Sequence, residues 1–429
     1  MVEIWLPYGR TEASVRIPEE NFQGVIEPRD DAPVEDPARE IIRALEKPIG
    51  VGSLGSAASR GEKVAIVIND ATRPTPTHLL LPPLLDRLTD AGVKIEDVTV
   101  IIGTGAHRPA TDEEIARLVG ISYARRVKVI SHECKSDHLT YIGDTSRGTE
   151  VYVNKTFTEA DVRILTGNVE LHYFAGYGGG RKSVLPAISG SQSILHNHAL
   201  LLHPKALPGL LKGNPVSEDM TEAARMARVD FILNVVLNRK DELVGAFSGS
   251  LDDAFMTGVK LVDKMCKVPC EARADIAVVS PGGRPRDIDL YQAIKAVHQT
   301  LHIVNDGGAI VLVAECPEGH GNEIFYSWMS KFDKSRQVEQ EIKKKFAVGG
   351  HKAYYLMKAS EKVKIYLLST IPDYYVSNIF KLRPSVTANA ALQTALRTVG
   401  KDSKVVVVPH GATTLPQLPE GLHSPKESP

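Results

Sequence analysis

Lys63-Val64-Ala65-Ile66-Val67-Ile68-Asn69-Asp70-Ala71-Thr72-Arg73-Pro74 decides the fold class. Its first six residues are mostly β-branched and apolar, the pattern of a strand buried on both faces, and the run stops at a polar loop closed by proline. An amphipathic helix is predicted next, from about Thr77 to Asp90. The pattern then repeats. Val98-Thr99-Val100-Ile101-Ile102 reads as a strand ending at Gly103-Thr104-Gly105-Ala106-His107-Arg108. Thr111-Asp112-Glu113-Glu114 has the threonine and acid spacing of a capping box that opens another helix. Arg163-Ile164-Leu165-Thr166 is a later strand, feeding Gly167-Asn168-Val169-Glu170. Short apolar strands alternating with helices imply an α/β fold with a mainly parallel sheet flanked by helices.

The same grammar restarts near Arg273. Ile276-Ala277-Val278-Val279 reads as a strand, Pro281-Gly282-Gly283 as its turn, and Leu290 to Thr300 as a helix. Further strands are predicted at Ala309 to Val313, Val363 to Leu368 and Lys404 to Val408. At 429 residues the chain exceeds what one hydrophobic core usually serves, so two such α/β domains are expected. The predicted boundaries are 1–270 and 271–410, with a linker around Cys266 to Arg273 and a tail over 411–429. The tail is rich in proline and charge from Pro416 on, so its last residues are expected to be disordered.

Bulk properties exclude several classes. A net charge of −1 offers no broad attraction for nucleic acid or anionic lipid, so any anion binding is local. No apolar run reaches the ~18 residues of a membrane span. Met1-Val2-Glu3-Ile4-Trp5-Leu6-Pro7 lacks the basic and apolar regions of a secretory signal, and a cytoplasmic protein is expected. Cys266 and Cys270 have no second pair or histidine cluster to complete a zinc site, so Cys134, Cys266, Cys270 and Cys316 read as reduced structural thiols.

The chemistry concentrates in Leu171-His172-Tyr173-Phe174-Ala175-Gly176-Tyr177-Gly178-Gly179-Gly180-Arg181-Lys182, followed by Leu195-His196-Asn197-His198. Glycines let the backbone approach a ligand, lysine meets phosphate or reacts as an amine, and imidazole binds metal or moves protons. A Walker loop needs glycine directly before its lysine, and Arg181 stands there. Gly103-Thr104-Gly105 supplies only two glycines of a dinucleotide motif, and neither H-E-x-x-H nor G-x-S-x-G occurs. Asp70, Arg73, His107, Arg108 and His172 all follow predicted strand ends, where ligands of parallel sheets bind. For each the plain alternative is a cap, a surface loop residue or a satisfied histidine. His196 and His198, two apart on a predicted helix from Ser191 to Leu202, point in different directions, and spacing alone does not choose between them. Gln292 and Lys295 share one helix face, where a solvated polar stripe is the plain alternative. His132, His138, His203 and His320 read as structural.

Taken together, Asp70-Ala71-Thr72-Arg73-Pro74, Gly103-Thr104-Gly105-Ala106-His107-Arg108-Pro109, His172-Tyr173-Phe174-Ala175-Gly176-Tyr177, Gly179-Gly180-Arg181-Lys182, Asn197-His198 and Tyr291-Gln292-Ala293-Ile294-Lys295 resemble one family. They match, in order and over most of the chain, the nickel-dependent lactate racemases and their 2-hydroxy acid racemase and epimerase relatives. The resemblance implies a nickel pincer nucleotide, a pyridinium-3,5-bisthiocarboxylic acid mononucleotide carrying nickel through two sulfurs and a ring carbon. It implies His198 as the protein ligand to nickel and Lys182 as the residue able to join the cofactor through a thioamide. His107 and His172 become the acid/base pair. Arg73, Gln292, Lys295 and Tyr291 become substrate-holding residues. Asp70, Thr72, Gly176, Gly179 and Gly180 support the cofactor, and separate cofactor-building enzymes are needed to load it.

The resemblance further implies that the first domain carries the cofactor and both histidines, with the second acting as a partial lid. Hydride transfer suits such a substrate, because the carboxylate opposes a neighbouring carbanion whereas loss of hydride gives a planar 2-oxo acid. Two alternatives stay open: an epimerase or dehydrogenase of larger sugar acids, and a pincer-nucleotide carrier without turnover.

Overall fold

The structure, a computed structural model, describes residues 1–419. The chain forms two compact units, Asp30–Lys264 and a second made of Met1–Arg29 with the chain from Met265 onward.

The Asp30–Lys264 unit is built on a six-stranded sheet. Its order is Leu243–Gly249, Phe231–Leu237, Val162–Asn168, Val64–Asn69, Val98–Gly103 and Lys128–Ser131. All neighbours are parallel except the edge strand Leu243–Gly249, which returns antiparallel. Val64 to Ile68 are fully buried, as an apolar run covered on both faces requires. The following helix runs Thr77–Asp90 and contains Pro82 and Pro83. It tolerates them because Leu80, Leu81, Leu84, Leu85 and Leu88 form a continuous buried stripe against that sheet. Thr111 caps Asp112–Val119 through a complete capping box with Glu114. The helix after the glycine-rich segment is Ser191–Ala199, tightening into a 3₁₀ turn at Leu200–Leu202.

The second unit has its own six-stranded sheet, parallel throughout. The order is Arg383–Ser385, Lys364–Leu368, Val304–Val313, Ala274–Val279, Val405–Val408 and Phe22–Val25. The last strand corrects the expected boundaries. Residues 1–29 belong to this unit, not to the one that follows them in the chain. Phe22–Val25 extends the sheet beside Val405–Val408, and the hairpin of Val2–Tyr8 with Thr11–Ile17 buries Leu6, Val15 and Ile17 in its core. The expected linker is also structured: Lys267–Pro269 pairs in parallel with Leu415–Gln417, so the tail stays ordered past Pro416. The remainder, 420–429, lies outside the described residues. Among the described residues no helix is long and apolar enough to cross a membrane.

Candidate active site

Parallel pairing of Val64–Asn69 with Val98–Gly103, in register at Asn69 and Gly103, sends the two following loops off side by side. Asp70 from one and His107 from the other meet, with His107 Nδ1 2.7 Å from Asp70 Oδ2. The Thr72 hydroxyl donates to the other oxygen, Oδ1, at 2.7 Å. Burial pushes the Asp70 carboxyl up, but the hydrogen bonds from His107 and Thr72, helped by the charges of His107 and Arg73, hold it below its ordinary range. An ionised carboxylate only accepts, so the His107 proton facing it sits on Nδ1. His107 Nε2 therefore carries the lone pair when the ring is neutral. Thr72 and Arg73 are exposed on the same loop.

His172 is held differently. It lies on a two-residue strand, Leu171–His172, paired antiparallel with Gly176–Tyr177. Its Nδ1 accepts the Ala175 backbone N–H at 3.2 Å, so in the neutral ring the proton resides on Nε2. Tyr173 stacks on the ring at 4.9 Å and Phe174 meets it edge-on at 4.5 Å.

Phe174 also meets His198 edge-on at 5.3 Å, which links the hairpin to the helix Ser191–Ala199. Burial first, and then the neighbouring Lys182 ammonium, push the His198 ring down to about 3. A ring neutral at every working pH keeps a lone pair for a metal. His196 turns away, its Nε2 lying 3.2 Å from the exposed Arg147 carbonyl, so the helix itself separates the two histidines that spacing left equal. Lys182 sits in the 3₁₀ turn Gly180–Ser183. The turn is tied to the His107 loop, because Ala187 N–H donates to the Lys182 carbonyl and Gly105 N–H donates to the Ala187 carbonyl. Asp70, Thr72, Arg73, His107, His172, Lys182 and His198 thus all belong to segments following strand ends of one sheet.

The glycines have a reason the sequence did not reveal. A side chain at Gly176 would lie 2.1 Å from the Leu210 carbonyl oxygen, and one at Gly180 would press on the Phe255 ring. Gly179 is crowded by Asn168, Val169 and Asn234. Close packing of the loop on its own protein demands them.

Tyr291, Gln292 and Lys295 lie on the helix Leu290–Thr300 of the other unit, capped by Asp289, whose carboxylate accepts the Gln292 N–H at 2.7 Å. Two neighbours went unnoticed in the sequence. Buried Lys352 sits 5.3 Å over the Tyr291 ring, and burial, then the charge of Lys295, push its amine well below the usual range. Asn234, fully buried, accepts the Gly180 N–H at 2.8 Å. A polar residue inside the apolar strand Phe231–Leu237 is the signal that marks Asn234; nothing in the local pattern marks Lys352.

Among the described residues no group of three or more His, Cys, Asp or Glu is placed to cage a metal. The neutral His198 imidazole, with the Lys182 amine beside it, could serve as a single protein ligand to a metal that carries its other ligands with it.

The chain matches the family model for the lactate racemase N-terminal domain over residues 8–209 and that for the lactate racemase C-terminal domain over 270–415. It is 33% identical over 428 residues to the lactate racemase of Thermoanaerobacterium thermosaccharolyticum, covering 97% of this chain and 99% of that protein. It is 31% identical over 421 residues to the lactate racemase of Lactiplantibacillus plantarum, covering 96% and 99%. The lactate racemase apoprotein structure from T. thermosaccharolyticum superposes with a TM-score of 0.89 at 32% identity, covering 97% of this chain and all of that one. A protein from Thermotoga maritima, 19% identical with a TM-score of 0.64 over 91% of this chain and all of that one, shares the fold.

Proposed function

The chain belongs to the lactate racemase family, and we propose that it inverts the C2 centre of a 2-hydroxy acid by hydride transfer to and from a nickel pincer nucleotide. The observation that carries this reading is the pair of oppositely held histidines in the unit that also holds neutral His198 beside Lys182. A carrier of the cofactor has no use for two proton-transfer groups, which favours turnover.

When bound, the cofactor supplies the hydride acceptor and donor. His198 would be its nickel ligand, Lys182 its covalent or close amine partner, and Asp70, Thr72 and the Gly176–Gly180 loop its supporting frame. His107, with Nδ1–H fixed by Asp70, offers the Nε2 lone pair to the substrate hydroxyl and takes its proton as the 2-oxo acid forms. His172 serves the opposite enantiomer. As imidazolium it gives its Nε2 proton to that oxygen and is left neutral with its proton on Nδ1. In the reverse direction it takes the hydroxyl proton at Nε2, the Ala175 N–H bond to Nδ1 being released while Nδ1 carries a proton. Arg73, Gln292, Lys295 and Tyr291 hold the carboxylate and orient the C2 hydrogen. A cytoplasmic setting, with cofactor-building enzymes present, completes the proposal.

Intact-protein mass and nickel content, measured after co-expression with the cofactor-building enzymes, test it. One nickel per chain and racemisation of a 2-hydroxy acid by chiral chromatography are expected. Added mass on Lys182 makes the link covalent; nickel without that mass leaves Lys182 a noncovalent contact. A preparation that takes up neither nickel nor cofactor, alongside a relative that loads, overturns the reading.

A further inference from the structure

Arg181 stands one residue before Lys182, yet it serves a different place. It is 2% exposed. Its Nη2 donates to the Ala175 and Tyr177 carbonyls at 3.0 and 3.3 Å and to Ser217 Oγ at 3.1 Å, and its guanidinium lies 4.5 Å over the Phe255 ring. Nε and Nη1 are buried without a hydrogen-bond partner. Burial lowers its pKa to about 9, but a guanidinium in protein stays charged at working pH, so a whole positive charge is buried with no carboxylate bonded to it.

Arg181 lines a cleft of about 640 Å³ with Ser146, Ser217, Thr221, Arg225 and Phe255, and is its buried cationic member. The acids of this cleft are already engaged. Glu218 accepts from Arg147 and the Gly213 N–H, Glu222 accepts from the Ser146 N–H and hydroxyl, and Asp252 pairs with Arg225 at 2.8 Å. Asp252 also attracts the Arg181 guanidinium, but its carboxylate is bonded to Arg225, and Arg181 has no bonded carboxylate of its own.

We propose that this cleft is a second anion site, separate from the Lys182–His198 site, taking a small oxyanion on Arg181, with the Ser217 hydroxyl and Arg225 as further donors. Its occupant is a carboxylate or a phosphate, which share this chemistry. Because Arg181 also grips the Ala175 and Tyr177 carbonyls on either side of Gly176, the occupied site firms the hairpin that carries His172. The inference does not depend on the proposed reaction and is testable without the cofactor.

The test is the melting temperature of the full chain, purified without the cofactor-building enzymes, in inorganic phosphate, in lactate and in chloride at matched ionic strength. Binding to the folded state alone raises that temperature with ligand concentration. A rise of several degrees in phosphate but not lactate assigns the phosphate class; the reverse assigns the carboxylate class. The Ser217→Asp variant places a carboxylate beside Arg181 Nη2. It is expected to melt higher than the parent in chloride and to lose the anion response, which separates this site from any anion bound near Lys182. No rise over chloride, a rise that survives in Ser217→Asp, or a Ser217→Asp protein that melts lower in chloride each overturns the proposal.

Discussion

His107 and His172 are the same side chain held in opposite ways. Asp70 holds the first through Nδ1–H, and the Ala175 N–H holds the second through a bare Nδ1. In their neutral forms the outward nitrogen thus carries a lone pair in one ring and a proton in the other. His172 therefore takes a substrate proton at Nε2 only with its own proton moved to Nδ1 and the Ala175 N–H released. Nothing intrinsic to imidazole makes that distinction. A buried carboxylate makes it on one side and a glycine hairpin makes it on the other. The first ring stands on a charged partner at the end of a central strand; the second stands on backbone and two aromatic neighbours.

The largest expected effects come from removing either ring. His107→Ala and His172→Ala should each lower kcat by about 10²–10⁴-fold, the ordinary contribution of a positioned acid or base, while nickel content stays unchanged. Enantiomers have equal free energies, so either lesion must reduce kcat/KM equally in the two directions. The asymmetry reads only in a single turnover, as 2-oxo acid formed from one enantiomer at a time. His107→Ala should slow one enantiomer far more than the other, and His172→Ala should do the converse. Equal slowing of both enantiomers by both variants would break the comparison.

Asp70→Asn should sharpen it. The amide fills the same space but removes the charge that fixes the His107 tautomer and steadies the protonated ring. A loss of about 10–100-fold in the turnover of the His107-dependent enantiomer is expected, less than loss of the ring itself. The His172-dependent single turnover should stay near that of the parent, because Asp70 bonds His107 and Thr72 whereas His172 Nδ1 is held by the Ala175 N–H.

Much of this arrangement was legible in the sequence because it is written locally. The run Val64 to Ile68, the capping box at Thr111 and the helix Leu290–Thr300 are each decided by a few adjacent residues, and each stands where periodicity puts it. What failed was long-range. Phe22 to Val25 is too short and mixed to announce a sheet edge, and its partner strand lies nearly four hundred residues away in the sequence. The hydrogen bond that sets the His107 tautomer was hidden for the same reason. Asp70 and His107 meet only because two strands pair in register. Lys352 meets Tyr291 only after two helices pack. The glycines were legible as special, but their crowding against Leu210 and Phe255 was not.

The two supports also differ in how they tolerate a methyl group. Gly176, opposite His172 in the hairpin, has φ +76° and a Cβ position 2.1 Å from the Leu210 oxygen. Gly105, in the His107 loop, has φ +55° but meets nothing closer than 3.5 Å. Gly176→Ala combines strain with a backbone clash and should cost about 3 kcal/mol or more, with loss of the His172-dependent turnover. Gly105→Ala carries conformational strain alone, about 1 kcal/mol, and should leave most activity. Urea denaturation of both variants checks the order, and a Gly105 variant as damaged as the Gly176 variant would show that the two loops are equally rigid.

The smallest expected effect uses His198 as a third case, a ring kept neutral by burial and by Lys182 rather than by a tautomer-setting bond. Its folded pKa is about 3, against about 6.5 in an unfolded chain. Above the unfolded value both states are neutral and the ring contributes no pH dependence. As pH falls below it, the unfolded chain takes up a proton that the folded ring refuses, so stability declines toward acid. Because the ring is only partly buried, the decline should be well under the limiting ~1.4 kcal/mol per pH unit for one proton. His298, in the other unit, is also pushed to about 3 by burial and carries the same sign. Replacing His198 by Asn should therefore flatten, without abolishing, the fall in urea midpoint between pH 6.5 and 5. Asp70 works in the opposite part of the range: its depressed carboxyl adds stability above the ordinary carboxylate pKa and loses it only as pH drops further. An unchanged slope in the His198→Asn protein would mean that this ring takes up its proton in the folded state, and a histidine so easily charged is a poor match for the metal-ligand role.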